Sequence, residues 1–207
     1  MKKKMIIALA AIAAMASGSA FAYEGGDWRT TIGMTNIQPE QTNGQIDIGG
    51  GPVDVKVDDA TQLSFTGAYF FTPGLALELL ASLPFQHDIT IDGAAGVSTK
   101  HLPPTLTLQY HFNSGGTVIP YLGLGLNYTT FLSTKAYGAY AGADVDIEDS
   151  TGAAFQAGLD YMINDNLFVN VDLRYVQLES DIKVGGTKVG KAEINPTIVG
   201  VSLGYKF

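Results

Sequence analysis

From 105 to 112 the polar residues Thr105, Thr107, Gln109 and His111 alternate one for one with Leu106, Leu108, Tyr110 and Phe112. A period of two places each set on its own face of an extended strand, whereas a helix would mix them. The same period runs through Leu167, Val169, Val171, Leu173 and Tyr175, with Asn170, Asp172 and Arg174 opposite. Such patterning marks eight segments, at about 27–38, 62–71, 75–85, 103–112, 119–131, 153–162, 167–179 and 196–207. Most have the ~9–11 residues with which a tilted strand crosses a hydrocarbon layer. No segment of the chain beyond its N-terminal region has the ~18 consecutive apolar residues of a membrane-spanning helix. Strands that meet lipid must close into a barrel, because an open edge would leave backbone N–H and C=O groups unpaired. The expected fold is all-β, an eight-stranded antiparallel transmembrane β-barrel.

The N-terminus differs from the rest. Lys2, Lys3 and Lys4 precede an apolar run from Met5 to about Met15, followed by Ser17, Gly18 and Ser19 and then Ala20-Phe21-Ala22. These are the three regions of a secretory signal, with cleavage expected after Ala22. The chain thus divides into a cleaved signal at 1–22 and a barrel domain at 23–207. The connections sort into two sets. Those after the second, fourth and sixth segments are short turns, Thr72-Pro73-Gly74, Asn113-Ser114-Gly115-Gly116 and Asn164-Asp165-Asn166. The others are longer and rich in Gly and Asp. Short turns on one side and long loops on the other is the asymmetry of outer-membrane barrels, with both termini periplasmic and the long loops extracellular.

A soluble sandwich also alternates polar and apolar residues. The aromatic residues favour the barrel, since Trp28, Tyr69, Tyr110, Phe112, Tyr128, Tyr161, Tyr175, Tyr205 and Phe207 stand mostly near strand ends, where a girdle meets headgroups. The chain has no cysteine, so neither a disulfide framework nor thiolate chemistry is available. A net charge of −8, spread along the chain, argues against a nucleic-acid partner. No cofactor, no metal and no catalytic residue are expected. His87, His101 and His111, the only histidines, lack metal-site spacing. Ser64, Ser82 and Ser202 lack a nucleophile elbow.

Specific motifs connect these segments. Leu83-Pro84-Phe85-Gln86-His87-Asp88, Lys100-His101-Leu102-Pro103-Pro104-Thr105, Gln109-Tyr110-His111-Phe112, the run from Pro120 to Phe131, Asp160-Tyr161, Asn170, Arg174-Tyr175, Asn195-Pro196 and the closing Gly204-Tyr205-Lys206-Phe207 together closely resemble the OmpW family of outer-membrane proteins. The resemblance covers nearly all of 23–207 and is weakest around 40–60, 133–150 and 180–193. It implies an eight-stranded barrel with a narrow lumen that assists passage of small hydrophobic molecules across the outer membrane. Leu203, Tyr205 and Phe207 also resemble the C-terminal signal that barrel-assembly machinery selects during biogenesis. The expected surroundings are outer-membrane lipid and lipopolysaccharide, with a monomeric barrel. The acidic residues Asp54, Asp58, Asp59, Asp144, Asp146, Glu148 and Asp149 are candidates to recruit divalent cations and lipopolysaccharide.

Eight strands leave an interior about wide enough for side chains to fill, which excludes a general aqueous pore. The alternation turns Arg29, Glu78, Gln109, His111, Asn127, Gln156, Asp160, Asp172, Arg174 and Lys206 inward. Their mixed charges suit a neutralising structural plug, and a conduit lining is the second reading. Gly123, Gly125, Gly158, Gly200 and Gly204 share those faces and would leave space. Leu83, Phe85, Ile89, Ile91 and Leu102 are candidates for an apolar funnel. Pro84, Pro103, Pro104 and Pro196 sit at outer strand ends, where the missing ladder N–H would loosen pairing and permit lateral release into the bilayer. The alternative function is a structural or adhesive surface barrel that works through its loops over a plugged lumen.

Overall fold

The computed structural model describes residues 23–40, 45–47, 51–91, 93–112, 117–138 and 141–207. The expected signal segment and the 113–116 turn lie outside these residues. Eight long strands close a barrel: β1 (Trp28–Gln38), β4 (Ala60–Thr72), β5 (Leu75–Ser82), β8 (Thr105–His111), β9 (Val118–Ala136), β11 (Ser150–Met162), β12 (Leu167–Val176) and β15 (Thr197–Lys206). Each pairs antiparallel with the next, and β15 returns to β1 with Arg29 opposite Lys206. The eight segments marked by alternation are these eight strands. The outward set forms an apolar belt, with Leu106, Leu108, Leu124, Leu126, Val201 and Leu203 all exposed. Trp28, Tyr110, Tyr161, Tyr205 and Phe207 flank it at the end that carries the termini, and Tyr128 and Tyr175 flank it at the other.

Among the described residues, the long connections contain regular structure. They form seven further strands: β2 (Gln45–Asp47), β3 (Pro52–Val57), β6 (Phe85–Ile91), β7 (Ala94–Leu102), β10 (Val145–Ile147), β13 (Glu179–Val184) and β14 (Thr187–Glu193). With the outer end of β9 they run in the order β9-β7-β6-β3-β2-β14-β13-β10, a second tier above the membrane belt. The long Gly- and Asp-rich connections thus carry strands of their own, which the alternation did not mark. Short alternating runs such as Val53, Val55 and Val57 supply an inner face that packs with Ile89, Ile91, Val97, Ile147, Ile182 and Ala192 into one apolar cluster. Two antiparallel strands alone are marginal in water, and this shared face lets several short ones persist.

The 73–74 turn holds Gly74 at φ 88°, which a side chain would strain. At 164–166, Asn164 Oδ1 accepts from the amides of Asn166 (3.0 Å) and Leu167 (2.8 Å), closing the turn locally.

Candidate functional site: an ion-paired plug beneath an apolar vestibule

Inside the membrane belt the inward polar residues converge. Arg29, fully buried on β1, donates from Nε and Nη2 to Asp160 (2.9 and 2.7 Å) and from Nη1 to Glu78 (2.9 Å). Arg174 on β12 donates to the other oxygen of Glu78 (3.0 Å) and to Asp172 (2.7 Å). Gln156 joins Glu78 at 3.3 Å, and Gln109 donates to Gln156 at 2.9 Å. Two guanidiniums thus face three carboxylates, and every one of these side chains is buried. Fork geometry satisfies several oxygens at once, which a buried charge requires.

Aromatic rings fill what remains. The Arg29 guanidinium lies 4.9 Å from the Phe168 ring centre and 5.5 Å from that of Tyr121. Tyr23 stacks on Phe70 at 4.3 Å and donates its hydroxyl to Asp160 at 2.7 Å, closing the periplasmic end. Lys206 stands beside it, with Nζ 6.0 Å from the Tyr23 ring. The inward glycines do not leave a passage. A Cβ at Gly204 would lie 2.1 Å from Phe168, and one at Gly158 would lie 2.2 Å from Tyr121, so those glycines make room for rings that occupy the lumen. The alternation did not single out Tyr23, Tyr121 or Phe168, although Tyr121 shares the parity of Gly123 and Asn127.

Above the plug the lumen turns apolar. A cavity of about 40 Å³ in the outer tier is lined by Ile37, Val55, Val57, Ile89, Phe131, Ile147, Val176, Leu178, Ile182, Ala192, Ile194 and Ile198, together with Pro103 and Pro196. Its polar positions are few: His87, Thr99, His101, Asn127 and Thr129. Asn127 Nδ2 donates to Thr105 Oγ1 (2.9 Å) and to the Pro103 carbonyl (3.2 Å), and Thr129 donates to Asn127 Oδ1 (2.8 Å). Of the funnel candidates, Ile89 lines the cavity, Ile91 belongs to the apolar cluster that supplies much of its wall, and Phe85 is buried in the adjoining cluster with Val176, Leu178 and Ile198. Leu83 and Leu102 do not belong there. Leu83 is exposed, and Leu102 is half-buried on the face opposite the buried His101.

The prolines separate likewise. The ladder between β5 and β8 ends at Leu80 opposite Thr105, and pairing resumes between β6 and β7 at Phe85 opposite His101. Residues 81–84 therefore form no ladder with 102–104, although Ala81 and Ser82 pair with β4 and Leu102 with β9, and Pro103 and Pro104 have no N–H to offer. The extra residue on one side is a bulge, and it reverses the inward parity from Ala76, Glu78 and Leu80 to Phe85, His87 and Ile89. The Tyr128 amide donates to the Pro104 carbonyl (3.0 Å), which sets this break at the outer aromatic girdle. Pro196 is different. The Val176 amide donates to its carbonyl (3.2 Å), so the ladder continues there and Pro196 simply lines the cavity.

His87 and His101 stack at 5.0 Å in the cavity wall, and Phe85 stacks on His101 at 5.8 Å. They lie beyond the girdle, in the outer tier. Burial, reinforced by the neighbouring His87 ring, pulls the His101 pKa down to about 3. Burial also lowers that of His87, against the bond to the Asp58 carbonyl and the carboxylates of Asp59, Asp58 and Asp88. Between pH 6.5 and 3 the opened tier therefore binds protons that the closed tier does not, so its stability is complete above 6.5 and falls as pH falls. At pH 4.5 the loss is on the order of 2 kcal/mol. Amide exchange, corrected for its intrinsic pH dependence, should show weaker protection in β6 and β7 at pH 4.5 than at 7.5; equal protection would contradict the sign.

The OmpW family profile matches residues 24–207. Outer membrane protein W of Vibrio cholerae is 37% identical over 99% of this chain and 100% of its own length. The crystal structure of OprG from Pseudomonas aeruginosa superposes with a TM-score of 0.82 at 28% identity, covering 91% of this chain and 99% of that one. A more distant relative, the dibenzothiophene metabolism operon protein PahQ of Pseudomonas aeruginosa, is 26% identical over 87% of this chain and 88% of its own length. The closed eight-strand barrel, its apolar belt and this full-length similarity agree, and the chain belongs to the OmpW family of outer-membrane β-barrel proteins.

Proposed function

We propose that this barrel assists small hydrophobic molecules across the outer membrane, taking them into the outer-tier cavity and releasing them sideways into the bilayer. The observation that carries the reading is the position of the apolar cavity, which has the ion-paired plug below it and the unpaired 81–84/102–104 stretch beside it. An apolar molecule would lose contact with apolar surface if it continued downward into buried charge, so the plug favours a lateral route. Backbone left unpaired in hydrocarbon would be costly, and the girdle height of the break keeps it where water and headgroups can serve it. The PahQ relative is named as a protein of a dibenzothiophene metabolism operon, and dibenzothiophene is an apolar aromatic, which supports that chemical class for this chain.

The test is capture of an apolar fluorescent probe by an acceptor inside liposomes that carry the refolded barrel. Wild type is expected to speed capture over protein-free liposomes without single-channel ion conductance. Ile182→Trp, which fills the cavity, is expected to bring the rate back toward the protein-free value. A correctly folded wild type that leaves capture unchanged would overturn the reading.

A further inference from the structure

Most of the polar groups in the cavity wall are already engaged. Thr129 bonds to Asn127 and Asn127 to the 103–105 corner, and Thr99 Oγ1 lies 3.3 Å from Thr134 Oγ1. His87 Nδ1 sits 2.5 Å from the Asp58 carbonyl, which can only accept, so that nitrogen carries the proton and Nε2 is a lone-pair acceptor. His101 is 7% exposed, and among the described residues no protein group bonds to its Nδ1. A buried polar atom without a partner costs free energy, and native structures rarely keep one without a reason.

We propose that the stacked His87–His101 pair is a polar subsite, built to hold the hydroxyl of an otherwise apolar molecule, so that the cavity prefers alcohols over hydrocarbons of equal length. This rests on the conduit reading for the cavity and names its ligand class. A hydroxyl can accept from one imidazole and donate to the other, a carbonyl can only accept, and a hydrocarbon does neither. Free water fits the site less well. It needs two to four polar partners, and beside the His87 ring stacked on it His101 is packed by Phe85, Phe131 and the aliphatic wall, so the two imidazoles meet only the lower limit. An alcohol places its chain against that wall and its single polar group against the histidines.

The experiment uses the full barrel, 15N-labelled at histidine and refolded in lipid, with 1-octanol and octane supplied at equal mole fraction in the bilayer. Octanol is expected to shift the His101 Nδ1 resonance and to compete for apolar-probe capture about three- to tenfold better than octane, the range a neutral hydrogen bond provides. In His101→Phe, which keeps a ring against Phe85 and His87, the octanol-to-octane ratio is expected to fall to about one. A ratio near one in wild type, or a preference that survives His101→Phe, overturns the proposal. The wild-type resonance decides the matter even if the variant fails to fold. Octanol shifting His101 without any capture of either compound would uphold the subsite and sink the conduit. Capture of both compounds with no shift at His101 would do the reverse.

Discussion

Arg29→Met is expected to lower the stability of the barrel by about 3–5 kcal/mol, the cost of breaking a buried charge network by removing one partner. Arg29 makes three charged hydrogen bonds, and its loss does not strand its two acceptors equally. Glu78 keeps Arg174 and Gln156, whereas Asp160 keeps, among the described residues, the Tyr23 hydroxyl and the Asn170 amide (2.8 Å). Asp160 is therefore the uncompensated charge, and a second substitution there should matter in the opposite direction. Arg29→Met/Asp160→Leu is expected to regain most of the loss, because similar-sized apolar groups often replace a buried pair with little penalty. The urea midpoint for reversible folding into vesicles, followed through Trp28, the only tryptophan, gives both values. Equal midpoints for wild type and Arg29→Met would mean that the plug is solvated and contributes little.

The membrane barrel was legible because lipid and a filled lumen impose opposite demands on alternate residues. On β8, Thr105, Thr107, Gln109 and His111 are buried while Leu106, Leu108 and Tyr110 are exposed. The partners within the plug were less legible. Alternation assigns Arg29 and Asp160 to the inside, but a separation of 131 residues conceals that they meet until the strands close. The outer tier was the least legible part. Its strands are as short as the three residues of β10, too few to establish a period, and their burial depends on one another. Parity nonetheless carried information there. Counting inward by twos from Thr105 across Pro103 reaches His101 and excludes Leu102, and counting from Phe85 to Ile89 passes through His87. Leu83 escaped the same count because the bulge at 81–84 shifts the frame between β5 and β6.

Phe85→Ala should separate the two roles that this residue combines. The ring is 1% exposed, sits directly above the unpaired stretch, and packs with Ile37, Val176, Leu178 and Ile198 beside the cavity. Its removal is expected to cost about 3–5 kcal/mol of stability, as truncations of a buried phenylalanine do. It also removes a ring that follows Pro84 in the chain and stacks on His101 of the cavity wall. If displacing that ring contributes even about 1.4 kcal/mol to the barrier, its loss speeds passage about tenfold. The folded variant, less stable yet faster in the liposome capture assay, is therefore the expected result, with Phe85→Leu intermediate in both measures. A variant that is less stable and no faster would place the route elsewhere. An alternative lies between the outer end of β9 and β10, the two edges of the outer tier, which have no ladder between them among the described residues. The two paths make different demands on Phe85, since only the lateral one between β5 and β8 passes beneath it.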